Sequence, residues 1–267
     1  MKKTVISLVI ISGLLSASCV VAVVDPAAPG RSWPQTAFAE SLSLKPGGSV
    51  TLENLSGDIQ VSGWKEEKAD ITAQYGRETA PHGGIYFIGH RFKPPDVRVR
   101  ATADTVRIRT DESGYDKEDR VVHYVLNVPR SVNLDSVRNG RGKIAISDIY
   151  GRAVLDADEG AVDIRNFSGS LDIRLGSGPV EAEVLDLRPL DSVRIKVERG
   201  DIVILLEPEA AAQIMADAPA GNVTSEIDLG QLLPAKRVTA RLGEGQATVE
   251  LTALQGDIKI RKVEVKR

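Results

Sequence analysis

An all-β solenoid, a single-stranded β-helix-like stack of short strands, is the fold class this sequence predicts, and three observations predict it. Gly142, Gly151, Gly160, Gly169 and Gly178 open successive nine-residue units. Two and four places after each glycine stands a residue that can be buried: Ile144 and Ile146, Ala153 and Leu155, Val162 and Ile164, Leu171 and Ile173, Val180 and Ala182. Mostly polar residues fill the places between, so the alternation has the period of two that marks a strand with one buried face. Short strands and corners at a fixed interval stack as coils.

Composition fits such a stack. Hydrophobic residues make up 42% and aromatic residues only 4%, so the core is aliphatic, which suits thin rungs better than a ring-lined cavity. Net charge is −3 with both signs interspersed, and without a basic stripe no nucleic-acid partner is expected. The single cysteine, Cys19, excludes an intramolecular disulfide. His82, His90 and His123 do not have a metal-ligand spacing, and no metal or cofactor is expected.

Residues 1–18 read as a signal peptide: Lys2 and Lys3 precede a short apolar run from Val5 to Leu15, too short for a comfortable span. The run ends in Leu15-Ser-Ala-Ser-Cys19, which resembles a bacterial lipobox with its leucine displaced by one place. Cys19 is therefore the lipidation candidate, and an acylated Cys19 would anchor the protein to a membrane. Cleavage without lipid, including a cut after Ala39, is the alternative and would leave a periplasmic or secreted protein. Residues 19–37 hold Pro26, Pro29 and Pro34 and read as an extended tether.

Residues 38–130 form an N-terminal β-rich part, expected to continue into the solenoid repeats of 131–267 as one domain. Ser41–Leu44 and Ser49–Glu53 flank a turn at Pro46-Gly-Gly48. Asn54-Leu-Ser-Gly57-Asp-Ile-Gln-Val61 repeats the solenoid unit. Its asparagine, like Asn139 and Asn166, stands three places before a glycine and suits a left-handed corner. Ala69–Tyr75 alternates as a strand. The long irregular segment 76–95 concentrates Tyr86, Phe87, His90 and Phe92. These are a possible contact surface, although a flap over a strand edge would look the same. Val97–Ala101, Thr105–Thr110 and Arg120–Val128 alternate as strands. After Gly178 the interval lengthens. Asp191–Glu198, Gly200–Leu206, Gln213–Asp217, Val238–Leu242, Gln246–Leu251 and Gly256–Ile260 complete the strands, and the charged tail Arg261–Arg267 is expected to blunt the last edge.

The opening Leu44-Lys-Pro-Gly-Gly, the Asn54–Val61 unit with Trp64, the strand ending Val128-Pro129, the glycine ladder and the closing Leu254-Gln-Gly256-Asp-Ile-Lys-Ile260 together resemble the bacterial candidate-adhesin family of envelope domains. The resemblance covers roughly residues 38–262. It implies a solenoid-like domain at or outside the cell envelope, with adhesion proposed and no activity or functional residues assigned.

No nucleophile elbow, phosphate loop or calcium-coil pattern is present, and the catalytic set is read as empty. One arrangement merits a structural test. If two units make a coil, residues eighteen apart stack about 4.8 Å apart. Asp163 would then lie beside Glu181 and Arg165 beside Glu183, as in solenoid enzymes acting on polysaccharides. The expected function is a non-catalytic exported protein offering a rigid surface to an envelope or surface protein or glycan. The alternatives are a carbohydrate-active lyase or hydrolase, and an envelope-stress sensor that binds a peptide or lipid.

Overall fold

Two nine-residue units do make one coil. Val162 pairs in parallel with Ile144 on one side and Val180 on the other, eighteen residues away in each direction. The computed structural model describes residues 35–77, 96–111, 120–230 and 232–263, and these contain strands and turns but no helix. The signal peptide, Cys19, the tether up to Pro34, and Tyr86, Phe87, His90 and Phe92 lie outside the described residues.

Each coil contributes one strand to each of two sheets. The regular middle alternates between them: β8 (Asn133–Arg141), β9 (Ile144–Ser147), β10 (Ala153–Glu159), β11 (Val162–Phe167), β12 (Leu171–Ser177), β13 (Val180–Val184), β14 (Ser192–Arg199) and β15 (Ile202–Leu206). Odd-numbered members lie in sheet I and even-numbered members in sheet II. In-register parallel pairing puts like on like: Ile144, Val162, Val180 and Ile202 form one inward column, all nearly inaccessible to solvent. Each such side chain contributes about 1.5–3 kcal/mol by leaving water. Among the described residues, only Tyr124 and Phe167 bring rings to the most deeply buried set.

At both ends, spatial order departs from chain order. β2 (Ser49–Ser56) and β3 (Ile59–Trp64) form the coil beside β8 and β9. β6 (Thr105–Asp111) and β7 (Arg120–Pro129) form the next one out. Antiparallel strands finish that end: β4 (Lys68–Arg77) on β7 and β1 (Gln35–Ser43) on β4 in sheet I, and β5 (Asp96–Ala101) on β6 in sheet II. β1 starts at Gln35, inside the stretch read as tether, so a cut after Ala39 would remove its first half.

At the other end the chain skips a slot. After β15 it lays down β16 (Ala212–Asp217) and β17 (Val223–Ser225), and then β18 (Arg237–Arg241) antiparallel to β16. Only then do β19 (Ala247–Gln255) and β20 (Ile258–Lys262) enter, between β14–β15 and β16–β17. The expectation that Arg261 and Lys262 blunt an edge is therefore corrected: β20 is an inner strand, and the edge of sheet I is the three-residue β17.

The corner leading from sheet II into sheet I records the same order. Gly57, Gly142, Gly160, Gly178, Gly200, Gly256 and Gly221 stack along it. A Cβ on any of the last six would strike the carbonyl of the previous one, as close as 1.7 Å at Gly178. Gly178 also has φ of +135°, a backbone region open mainly to glycine.

Candidate functional site

Among the described residues the inward positions of the strands are filled by the core, and the chemistry they offer to partners lies on the outward positions of the two sheets. On sheet II, Asp172, Arg194 and Glu250 stand in register on β12, β14 and β19. They close into a ladder, with Arg194 3.7 Å from Asp172 and 2.8 Å from Glu250. The hydrogen bond and charge of Glu250, with help from Asp172, raise the Arg194 pKa above its ordinary value. Further along the same sheet, Glu53 lies between Arg109 (3.5 Å) and Arg138 (3.9 Å).

Sheet I begins in the same way. Asp163 on β11 is 3.0 Å from both Lys143 and Arg165. Then the ladder is interrupted. Across β13, β15 and β20 the outward register reads Glu181, Val203, Lys259, and in the next row Glu183, Leu205, Arg261. Val203 and Leu205 are half-buried although they face outward. They hold the acidic and basic rows two strand spacings apart, about 9.6 Å. Glu181 and Lys259 have no ion-pair partner among the described residues.

The interruption forms an open trough of about 430 Å³, lined by Glu181, Val203, Thr224, Ser225, Glu226, Lys259, Ile260 and Arg261. Its far wall is braced by Glu226, which accepts the Lys262 backbone N–H and a hydrogen bond from Arg261, each at 3.1 Å. Those two bonds, the backbone one foremost, hold the Glu226 carboxyl below the usual carboxylate range.

Asp163 and Glu181 do occupy adjacent register positions, yet the pair is poorly suited to acid–base work. Burial pushes the Asp163 carboxyl up, but the hydrogen bonds and charges of Arg165 and Lys143 outweigh it, and its pKa lies below the ordinary value. That environment fixes an anion and opposes a proton donor. Arg165, expected beside Glu183, turns along its own strand to Asp163. A register shift between Ile164 and Phe167 lets Glu183 accept the Asn166 backbone N–H instead, at 2.9 Å.

The asparagines divide into two roles. Asn166 has φ of +48°, the left-handed corner expected of it. Asn54 and Asn139 do not. They lie buried inside neighbouring coils, where Asn54 donates to the Val122 carbonyl (3.0 Å) and to Asn139 Oδ1 (3.2 Å), and Asn139 donates to the Gly57 carbonyl (2.9 Å). Thr110 donates to Asn54 Oδ1 at 3.2 Å and shares a 2.6 Å hydrogen bond with the Tyr124 hydroxyl. Burial, partly offset by that bond, pushes the Tyr124 pKa up to about 12. Each of these amides has a partner, so the cluster is a structural one. The shared offset of Asn54 and Asn139 from their corner glycines was the signal for it.

His82 and the candidate residues Cys19, Tyr86, Phe87, His90 and Phe92 lie outside the described residues. His123 accepts the Asp58 backbone N–H at 3.0 Å. Among the described residues, no group of three or more His, Cys, Asp or Glu side chains is placed to hold a metal ion, and no helix is long and apolar enough to cross a membrane. The trough was not read from the sequence. Its one local signal is the unbroken apolar run Ile202-Val-Ile-Leu-Leu206, where alternation fails.

The family described as Toastrack DUF4097 matches residues 96–261. No curated protein matches the chain. Among solved structures, the chain is similar to a candidate cell adhesion protein from Clostridium sporogenes, with 13% identity, a TM-score of 0.46, and coverage of 86% of this chain and 100% of that one. A candidate adhesin from Bacteroides fragilis shows 10% identity and a TM-score of 0.29 over 85% of this chain and 96% of its own. A candidate lipid-binding protein from Parabacteroides distasonis shows 11% identity and a TM-score of 0.24 over 86% and 97%.

Proposed function

From the premise that this chain belongs to the Toastrack DUF4097 family, we propose that it is a non-catalytic, exported envelope protein that uses a stiff β-stack to hold a contact surface toward another protein. The single observation that carries this reading is the interrupted ladder. Sheet I leaves Val203 and Leu205 on its outside between an acidic and a basic row, whereas the same coils on sheet II close their charges on one another. An apolar floor between separated charges of opposite sign is the surface a protein partner can desolvate and pair with. The reading as signal peptide and lipid-bearing Cys19 supplies the location, a tethered domain at a membrane surface.

Retention of the purified full chain on isolated envelope membranes tests the contact face, with Val203→Thr/Leu205→Thr as the variant. Both substitutions keep strand propensity and remove apolar surface. Lost retention with an unchanged Tm supports the reading, and unchanged retention overturns it. Palmitate labelling of wild type against Cys19→Ala tests the anchor, which fails if the wild type takes up no label.

A further inference from the structure

The charges around the trough have a property that selects a particular partner. Take β15 as a line down the middle of the face. On one side of it stand Glu181 and Glu183, and on the other Lys259 and Arg261. One strand further out, Arg165, turned along β11 onto Asp163, lies on the acidic side, and Glu226, 3.1 Å from Arg261, on the basic side. Reflected about β15, Glu181 meets Lys259 and Glu183 meets Arg261, and outside them Arg165 meets Glu226; Asp163, in register with Glu181, meets the uncharged Thr224 and keeps its own cations, Lys143 and Arg165.

A face with that antisymmetry is complementary to itself. We propose that the partner seated on the trough is a second copy of this chain, docked face to face about a twofold axis running along β15. Half a turn about that axis brings Glu181 over the partner's Lys259 and Glu183 over the partner's Arg261. Arg165 comes over the partner's Glu226, while Val203 and Leu205 meet their own copies. Facing sheets pack about 10 Å apart, a gap that Val and Leu fill and that Glu and Lys span. The other in-plane axis, along the stack, would set Glu181 on Glu181 and Lys259 on Lys259, which like-charge repulsion opposes. The charge pattern therefore fixes both the partner and its orientation.

The patch spans about four strand spacings by five residues, about 19 by 17 Å, well below the ~800 Å² per partner of a standard interface. The dimer is accordingly weak, reversible and weakened by salt, and a membrane tether would favour it by concentrating the chain. This inference rests on the contact-face reading above and goes one step beyond it.

Sedimentation of the full chain over rising concentration is the test, combined with a zero-length carbodiimide that joins carboxylates to amines in contact. Wild type should dimerise and give a cross-linked dimer, while Glu181→Lys and Lys259→Glu should each be monomeric. The double swap Glu181→Lys/Lys259→Glu should dimerise again, a recovery that a dimer formed elsewhere would not show. In a Cys19→Ser background, a thiol-to-thiol cross-linker about 5 Å long, which suits facing sheets about 10 Å apart where a direct disulfide would not reach, should link Val203→Cys, which lies on the axis, and leave the more widely separated Glu181→Cys unlinked. A wild type that stays monomeric and uncross-linked, or a double swap that does not recover, overturns the dimer. If the chain is monomeric yet Val203→Thr/Leu205→Thr still loses membrane retention, self-pairing falls and the contact face stands. If neither assay responds, both fall.

Discussion

The same three coils have two different outsides. On sheet II, Asp172, Arg194 and Glu250 satisfy one another across neighbouring strands. On sheet I, those coils put Val203 where an opposite charge would close Glu181 to Lys259. Core, corners and strand spacing are shared, so the difference cannot come from the fold. In a stacked fold, the inside sets geometry and the outward residues are at liberty to differ, so function is read from departures in an otherwise repeating exterior.

The largest expected effect comes from breaking what both faces share. In Gly178→Ala, the new Cβ would lie 1.7 Å from the Gly160 carbonyl oxygen at φ +135°. It should cost about 4 kcal/mol or more in denaturant unfolding and disturb both faces together. Gly47→Ala is the reference, since Gly47 has φ of +80° and nothing within 4 Å of a Cβ. It should cost only about 1–2 kcal/mol. Equal losses would show that backbone conformation, not close stacking, dictates the corner.

Next comes the buried polar end of the stack, as a contrast with both solvent faces. The Tyr124 pKa is raised from 10.0 to about 12. An acid whose folded pKa lies above its unfolded value contributes stability that is complete below the unfolded pKa and lost as pH climbs through the folded one. Between about pH 10 and 12 the wild type should lose about 2–3 kcal/mol that Tyr124→Phe does not lose. Parallel alkaline limbs for the two proteins would refute that.

The comparison itself is sharpened by Arg194→Ala against Lys259→Ala. The first opens a closed ladder and should cost about 1 kcal/mol. The second removes a charge without an ion-pair partner and should stay within about 0.5 kcal/mol. Equal costs in thermal unfolding would erase the distinction between the faces. The smallest effect marks where sheet I changes character. The Asp163 carboxyl is held below its ordinary range by Arg165 and Lys143 against the opposing effect of burial. It therefore contributes stability above its unfolded pKa that is lost as pH falls below about 4. Asp163→Asn should leave a flatter acid limb, and an acid limb identical to the wild type would contradict it.

The rhythm of the stack was legible because inward positions repeat at a spacing set by the backbone. Ile144, Val162 and Val180 point inward as their alternation requires. The order of coils at the ends was not legible. A unit such as Gly256-Asp-Ile-Lys-Ile260 offers the same corner and the same two aliphatic side chains to any slot, so nothing local says that β20 enters between β15 and β17. The trough was hidden for the same reason: Val203 and Lys259 are adjacent only through that long-range pairing. The asparagine ladder was half legible. The offset from the glycine was visible, but that Asn54 and Asn139 face each other depends on β2 pairing with β8 across a long stretch of chain.

The late arrival of β19 and β20 has a consequence for how the molecule is made. As the polypeptide emerges from the ribosome, β16 and β17 appear before the surface they rest on exists, because that surface is built from β19 and β20, which follow them in the chain. Closure of that end must wait until β20 has been made. A nascent chain thereby stays open at that end until β19 and β20 arrive, and a product cut short before Ala247 would carry a hole within its body rather than a ragged end.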